Sequence, residues 1–286
     1  GPTQRVVKGI FFDWPKDSLP EGSLSDGQNV QIRDGTVEKA PGWGKYSTTV
    51  IPGTGPVMLI LDFINAAGTR ILLAATTTRL SKYVLANNRW EDVTGGSSLM
   101  TGSATTPIFG AVLNDTAILA WGSTLKSYDG TTWQNLAGSP PANPLGMAIF
   151  EGHVMLWNVA SVGYRTQWSD LNGPTTWTGG ESGSLDLRDY NILPILAGAH
   201  MGRAFLFYKE QHGGVYIMNY TGNAKLPMVQ ELLIPDMGVF SPKGVTVYRG
   251  THFVVASDEQ VYAISGGQPQ PIGDPIRKRL FSRMNW

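Results

Sequence analysis

The chain has no cysteine, so no disulfide, thiolate nucleophile or thiolate metal ligand contributes, and the redox compartment stays open. Charge is scarce as well. Asp, Glu, Lys and Arg make up 15% of 286 residues, 22 acidic against 22 basic, where globular chains carry about a quarter. Such a surface relies on Thr, Ser, Asn, Gln and Gly, and its weak self-repulsion permits packing against neighbours. No apolar run approaches the roughly 18 residues that cross a bilayer as a helix. Four histidines occur, His153, His200, His212 and His252. None lies in a Gly-x-Ser-x-Gly elbow or a His-Glu-x-x-His pair, and neither a calcium loop nor a phosphate loop is present. Catalytic, metal and cofactor sites therefore have no motif behind them, and the expectation is a protein that is not an enzyme.

What the chain does have is turns. It holds 35 glycines and 18 prolines among 42% hydrophobic residues, a composition suited to many short strands. The organising unit is Thr124–Tyr128, Asp129-Gly130, then Thr131–Leu136 with Trp133 as its large side chain, which predicts one hairpin. The unit recurs. Asn87-Asn88 leads into Trp90 and Asn172-Gly173 into Trp177, so the three tryptophans stand 43 and 44 residues apart. Thr221-Gly222 and Ser265-Gly266 continue the phase more weakly. A period in the low forties made only of short strands predicts a radial array of four-stranded sheets, each covering its neighbour's apolar face.

The expected fold is thus an all-β propeller. Residues 57–93, 107–136, 145–187, 192–235 and 243–272 are five complete blades, the third carrying a longer insertion at Tyr164–Thr175. A separate hairpin, Val30–Arg33 and Thr36–Lys39 around Asp34-Gly35, reads as half of a sixth blade; a five-bladed ring is the alternative. Residues 1–26 form an irregular lead-in with Phe11, Phe12 and Trp14 as anchors, 27–276 the propeller, and 277–286 a basic tail that could start a short helix. Gly1-Pro2 resembles a protease-cleavage scar, so the numbering is expected to begin inside a longer native chain.

Paired carboxylates, which glycosidases gather from distant positions, were sought among Asp62, Asp170, Asp186, Asp189 and Asp258. Asp186 and Asp189 flank Arg188 and read as strand-end caps or ion pairs, while Asp34, Asp129 and Asn172 read as turn residues. Ser127–Trp133 approaches the Ser-x-Asp-x-Gly-x-x-Trp box of sialidase-like propellers but misses its spacing. Tyr164, Arg165, Trp168, Asp170 and Trp177 are the candidate contacts for a partner or a glycan, since aromatic rings offer area at little rotamer cost. Trp90, Trp133 and Trp177 are expected on sheet-to-sheet seams. Arg277, Lys278 and Arg279 are the candidate contacts for DNA phosphate or an acidic partner.

Three stretches carry a family resemblance. Asp26–Trp43, reading DGQNVQIRDGTVEKAPGW, Gln167–Trp177 followed by Gly183–Leu187, and Phe205–Lys209 with Val215–Gly222 together resemble propeller proteins of tailed-bacteriophage particles, in particular tail nozzle or packaged-DNA stabilisation proteins. The resemblance implies a virion structural component that forms or closes the DNA conduit. It also implies tail or connector partners, a homo-oligomeric ring, transient contact with DNA and no catalytic residues. Relatives continue past the point matching Ile276-Arg277, so the resemblance leaves the ring-closing or partner-binding part open. The rival expectation is a glycan-binding or glycan-cleaving propeller at a host surface, and a third is a cellular interaction scaffold.

Overall fold

The computed structural model describes residues 9–10, 15–24, 30–33, 36–40, 42, 44–96, 107–121, 124–159, 161–266 and 268–284. Phe11, Phe12 and Trp14, the expected anchors, and the Asp34-Gly35 turn lie outside them. Two short strands open the chain, β1 (Gly9–Ile10) and β2 (Ser23–Leu24), paired in parallel. They are followed by a hairpin of β3 (Val30–Arg33) and β4 (Thr36–Lys39), in the register Val30↔Lys39 to Arg33↔Thr36. That hairpin is a two-stranded sheet of its own.

Five four-stranded antiparallel sheets then follow in chain order. The first blade is β5 (Val57–Ile64), β6 (Arg70–Thr76), β7 (Leu80–Val84) and β8 (Arg89–Asp92). The second is β9 (Phe109–Leu113), β10 (Thr116–Trp121), β11 (Thr124–Tyr128) and β12 (Trp133–Asn135). The third is β13 (Gly146–Phe150), β14 (His153–Val159), β15 (Val162–Trp168) and β16 (Gly183–Asp186). The fourth is β17 (Ile195–Met201), β18 (Ala204–Lys209), β19 (Val215–Tyr220) and β20 (Met228–Ile234). The fifth is β21 (Val245–Tyr248), β22 (Thr251–Ala256), β23 (Gln260–Ile264) and β24 (Gln270–Pro271). Adjacent blades meet through their first strands, β5 on β9, β9 on β13, β13 on β17 and β17 on β21. This is the blade architecture of a β-propeller.

The second strand of each inner blade shows why the sheets stack. Side chains of a strand alternate between faces, so β10 sends Ala117 and Leu119 to the first blade and Ile118 and Ala120 to the third. In β14, Val154 and Leu156 face the second blade while Met155 and Trp157 face the fourth. In β18, Phe205 and Phe207 face the third blade while Leu206 and Tyr208 face the fifth. Continuous apolar strands are what a sheet covered on both faces requires. Packing is also close within a blade: a methyl group on Gly146 would overlap the indole of Trp157, directly opposite it on the next strand.

The turns follow the local chemistry of the sequence. Asp129 Oδ1 accepts the amides of Thr131 and Thr132, both at 2.7 Å, and Gly130 takes φ 102°. That is an Asx-turn, which only a short polar side chain can make. Asn88 adopts φ 49° just before Trp90.

Two expectations change. Tyr164–Thr175 is not an insertion, because Val162–Trp168 is the third strand of its blade, with Arg165 directly opposite Asp186. Its polar alternation, with Thr166 and Trp168 buried and Arg165 and Gln167 half-buried, resembles a loop only if Gly163 and the following turn residues are weighed above the period. Asn172-Gly173 consequently sits in the loop between β15 and β16 rather than in a tight hairpin. The short helix expected in the tail is present as α1 (Arg277–Phe281).

Candidate functional site

The seams account for two of the three periodic tryptophans. Trp177 lies in the cluster between the second and third blades, and Trp133 packs on the cluster between the first and second. Trp90 is different. It closes the outward face of the first blade, the face turned away from the second, where its ring lies 5.4 Å from that of Tyr83, itself 4.9 Å from Tyr46.

Four apolar clusters join the five blades in sequence, and among the described residues none joins the fifth blade to the first. The described link there is a hydrogen bond of 3.2 Å from Lys243 Nζ to Met58 O. The outward face of the first blade is instead flanked by the segment 45–51. Thr48 N and Oγ1 both donate to Asn88 O, at 3.2 and 2.7 Å, and Trp90 N donates to Thr49 Oγ1 at 3.0 Å. The free edge of the blade is therefore occupied by its own chain. Between this segment and the sheet lies a cleft of about 940 Å³ lined by Tyr46, Val50, Ile60, Leu72, Leu85 and Trp90, among others. Ile60 and Leu85 are 65% and 82% exposed.

One charged pair crosses this apolar surface. Arg70 grips Asp62 with Nη2 at 2.5 Å and Nε at 2.9 Å from one carboxylate oxygen. The guanidinium hydrogen bond holds the Asp62 carboxyl below its usual range, and the carboxylate raises Arg70 in turn. The pair is exposed, so its contribution to stability is small; its use is to keep a fixed polar mark on an apolar floor.

Apart from Asp62 and Trp90, which line this cleft, the residues singled out in the sequence lie elsewhere and are mostly engaged. Trp168 is buried, its indole N–H donating to Glu181 O at 2.7 Å. Asp170 Oδ1 accepts the amides of Leu171 and Glu181 at 2.9 and 2.7 Å, which fastens the loop between β15 and β16. Trp177 is buried. Arg165 pairs with Asp186 at 2.7 and 3.0 Å, and this holds the Asp186 carboxyl low. Tyr164 is half-buried on the same strand. Tyr262 donates to Asp258 at 2.5 Å and is pushed up to about 12 by that bond. Trp168 and Asp170 therefore do not form a glycan groove: the ring has no open face and the carboxylate is committed to the backbone. Arg277 Nε donates to Glu259 O at 2.8 Å, tying α1 to the fifth blade, while beside it Lys278 is exposed and Arg279 half-buried.

The residue types of a nucleophile triad do meet at one point. His153 Nδ1 donates to Ser169 O at 2.7 Å, and His153 Nε2 lies 3.5 Å from Glu181 Oε2, which also accepts Tyr220 OH at 2.9 Å. Ser169 Oγ, however, accepts Val154 N and donates to Asp170 O, each at 3.0 Å. His153 and Ser169 are fully buried, so no base faces the hydroxyl and no substrate reaches it. Among the described residues no group of three or more His, Asp or Glu is placed to hold a metal ion.

No family model matches the chain, and no curated protein matches it. Solved structures do. The extracellular domain of a hybrid two-component system assigned in B. thetaiotaomicron gives a TM-score of 0.46 at 11% identity, over 76% of this chain and 27% of that one. YCF48 from Cyanidioschyzon merolae gives 0.46 at 13%, over 72% and 67%. BamB from Moraxella catarrhalis gives 0.42 at 13%, over 75% and 59%. The chain spans only about a quarter of the first of these proteins, and at such scores no activity, partner or location passes from any of them to it.

The expected phage role is corrected here. No family model and no curated protein, of a phage or otherwise, matches the chain, so the tail, nozzle and DNA-conduit function, the virion location, and the tail, connector, homo-oligomeric ring and DNA partners have no support. The physical reason is that two of the three quoted stretches encode blade geometry, and the third, Asp26–Trp43, encodes a hairpin that forms a two-stranded sheet of its own. Gln167–Trp177 supplies a strand end and a fastened turn, and Phe205–Lys209 with Val215–Gly222 supplies two paired strands. Any stack of four-stranded sheets needs such pieces.

Proposed function

We propose that the protein is a non-catalytic interaction scaffold that holds an apolar segment of a partner protein on the outward face of its first blade. The observation that carries this reading is the cleft between that face and residues 45–51, where Tyr46, Val50, Ile60 and Leu85 stay exposed around a common hollow. Scattered surface hydrophobics are ordinary, but a contiguous exposed apolar patch with polar residues beside it is the usual form of a protein-recognition surface. The aromatic series Tyr46, Tyr83 and Trp90 gives the hollow a stiff wall that loses little entropy on binding. The Asp62–Arg70 pair fixes the orientation of whatever lies across it.

The test is selection of peptides from a random displayed library against the full chain, with Ile60→Glu as counter-screen. The reading predicts peptides rich in Leu, Phe or Trp whose affinity falls at least about tenfold on Ile60→Glu, while the unfolding free energy of that exposed variant stays within about 0.5 kcal/mol of the parent. Selected peptides indifferent to Ile60→Glu would contradict it. So would self-association of the parent that the substitution abolishes, because a second copy would then be the occupant.

A further inference from the structure

The outermost strands of the five blades are not alike. β8 spans four residues and carries Arg89, Glu91 and Asp92; its edge is taken by Thr48 and Thr49. β12 spans three residues, β16 four with Asp186 in an ion pair, and β24 two, of which one is proline. Short, charged, proline-bearing or covered edges are how sheets avoid pairing with other chains. β20 is the least protected of the five: it is longer, has no proline, and carries a single charge, Glu231. It runs for seven residues, Met-Val-Gln-Glu-Leu-Leu-Ile, with no proline, lysine or arginine. Among the described residues, its backbone is hydrogen-bonded to β19 and to no other segment.

We infer that β20 is a docking edge that takes up an extended segment of a different protein as a fifth strand of the fourth blade. Backbone groups left unpaired on an edge supply the affinity in this mode, and alternate side chains supply selectivity. Val229 and Leu232 stand 36% and 37% exposed along the strand, offering apolar contacts to an incoming side chain. Glu231 is the one charge, and it is exposed. It also decides the occupant. A second copy pairing antiparallel about the centre of β20 would set Glu231 opposite Glu231, and like charges directly opposite destabilise a strand pair. A segment with apolar residues at alternate positions and a Lys or Arg facing Glu231 fits instead.

The probe is a synthetic peptide of alternating threonine and valine with a single central lysine, added to the full chain. Saturable binding is expected, with slowed amide exchange in β20, and the affinity should drop at least about tenfold in Val229→Lys. Glu231→Lys should invert the preference, favouring the same peptide with a central glutamate. Because both substitutions lie at exposed positions on the fourth blade, Ile60→Glu on the first blade should leave this binding unchanged. Failure of the peptide to bind, equal binding to all variants, or protection that appears on the first blade would overturn the inference. So would a parent dimer dissociated by Val229→Lys.

Discussion

The seam between the third and fourth blades and the outward face of the first blade are built from similar residues and meet opposite fates. In the seam, Trp157 lies 5.8 Å from Phe109, 5.8 Å from Phe205 and 5.9 Å from Phe207, ring centre to ring centre, and is 1% exposed. On the outward face, Trp90 is packed against Tyr83 and 9% exposed along the cleft wall, while Ile60 and Leu85 of the same cleft face solvent. The difference lies in whether, among the described residues, a neighbouring sheet packs on the face. A blade has two apolar faces, and stacking stabilises only those that find a partner; the face left over is where recognition can occur.

The largest effect expected from this contrast is on stability. Trp157→Ala should cost about 3–5 kcal/mol, as for a fully packed aromatic residue, whereas Trp90→Ala should cost clearly less because part of its surroundings is open cleft. Denaturant melts of both variants measure the difference, and equal losses would erase the contrast.

A second, smaller effect concerns how dry the covered region is. Lys209, at the end of β18, is fully buried, and its amine donates to Leu187 O at 2.8 Å and Asn191 O at 2.7 Å, pinning the connection between the third and fourth blades. Burial lowers its pKa from 10.5 to about 8. The unfolded chain then binds more protons than the folded one between those values, so stability should rise with pH from about 8 to 10.5, by at most about 3 kcal/mol. The neutral amine still has two N–H groups for the two carbonyls. In Lys209→Met that rise should vanish from pH-dependent melts; its persistence would place the cause in another group. The smallest effect is the near-neutral stability expected of Ile60→Glu, since that face supports no seam.

Much of the architecture was legible in the residues because blade geometry is local. Asp129-Gly130 before Trp133, the continuous apolar run Ala117–Trp121 and the spacing of Trp90, Trp133 and Trp177 each reflect a turn or a face that a four-stranded sheet requires. The third strand of the third blade was missed because Val162–Trp168 alternates Gly, Arg and Gln with its buried residues. The cleft was hidden for another reason. Lys45–Ile51 has no strand period, and its position depends on hydrogen bonds to Asn88 and Trp90, some forty residues away. Trp168 and Asp170 drew attention by residue type, yet a buried ring and a turn-capping carboxylate carry the same letters as a groove and a catalytic acid. The edge of β20 is set apart only by comparing it with four other outer strands, which requires knowing the sheet order.

The most direct measurement is hydroxyl-radical footprinting of the full chain read out residue by residue. Heavy labelling of Tyr46, Ile60 and Leu85, with Phe150, Trp157 and Phe205 spared, is the predicted pattern. Comparable labelling of the two groups, or protection of Tyr46, Ile60 and Leu85 in the isolated chain, would contradict an open recognition face beside covered seams.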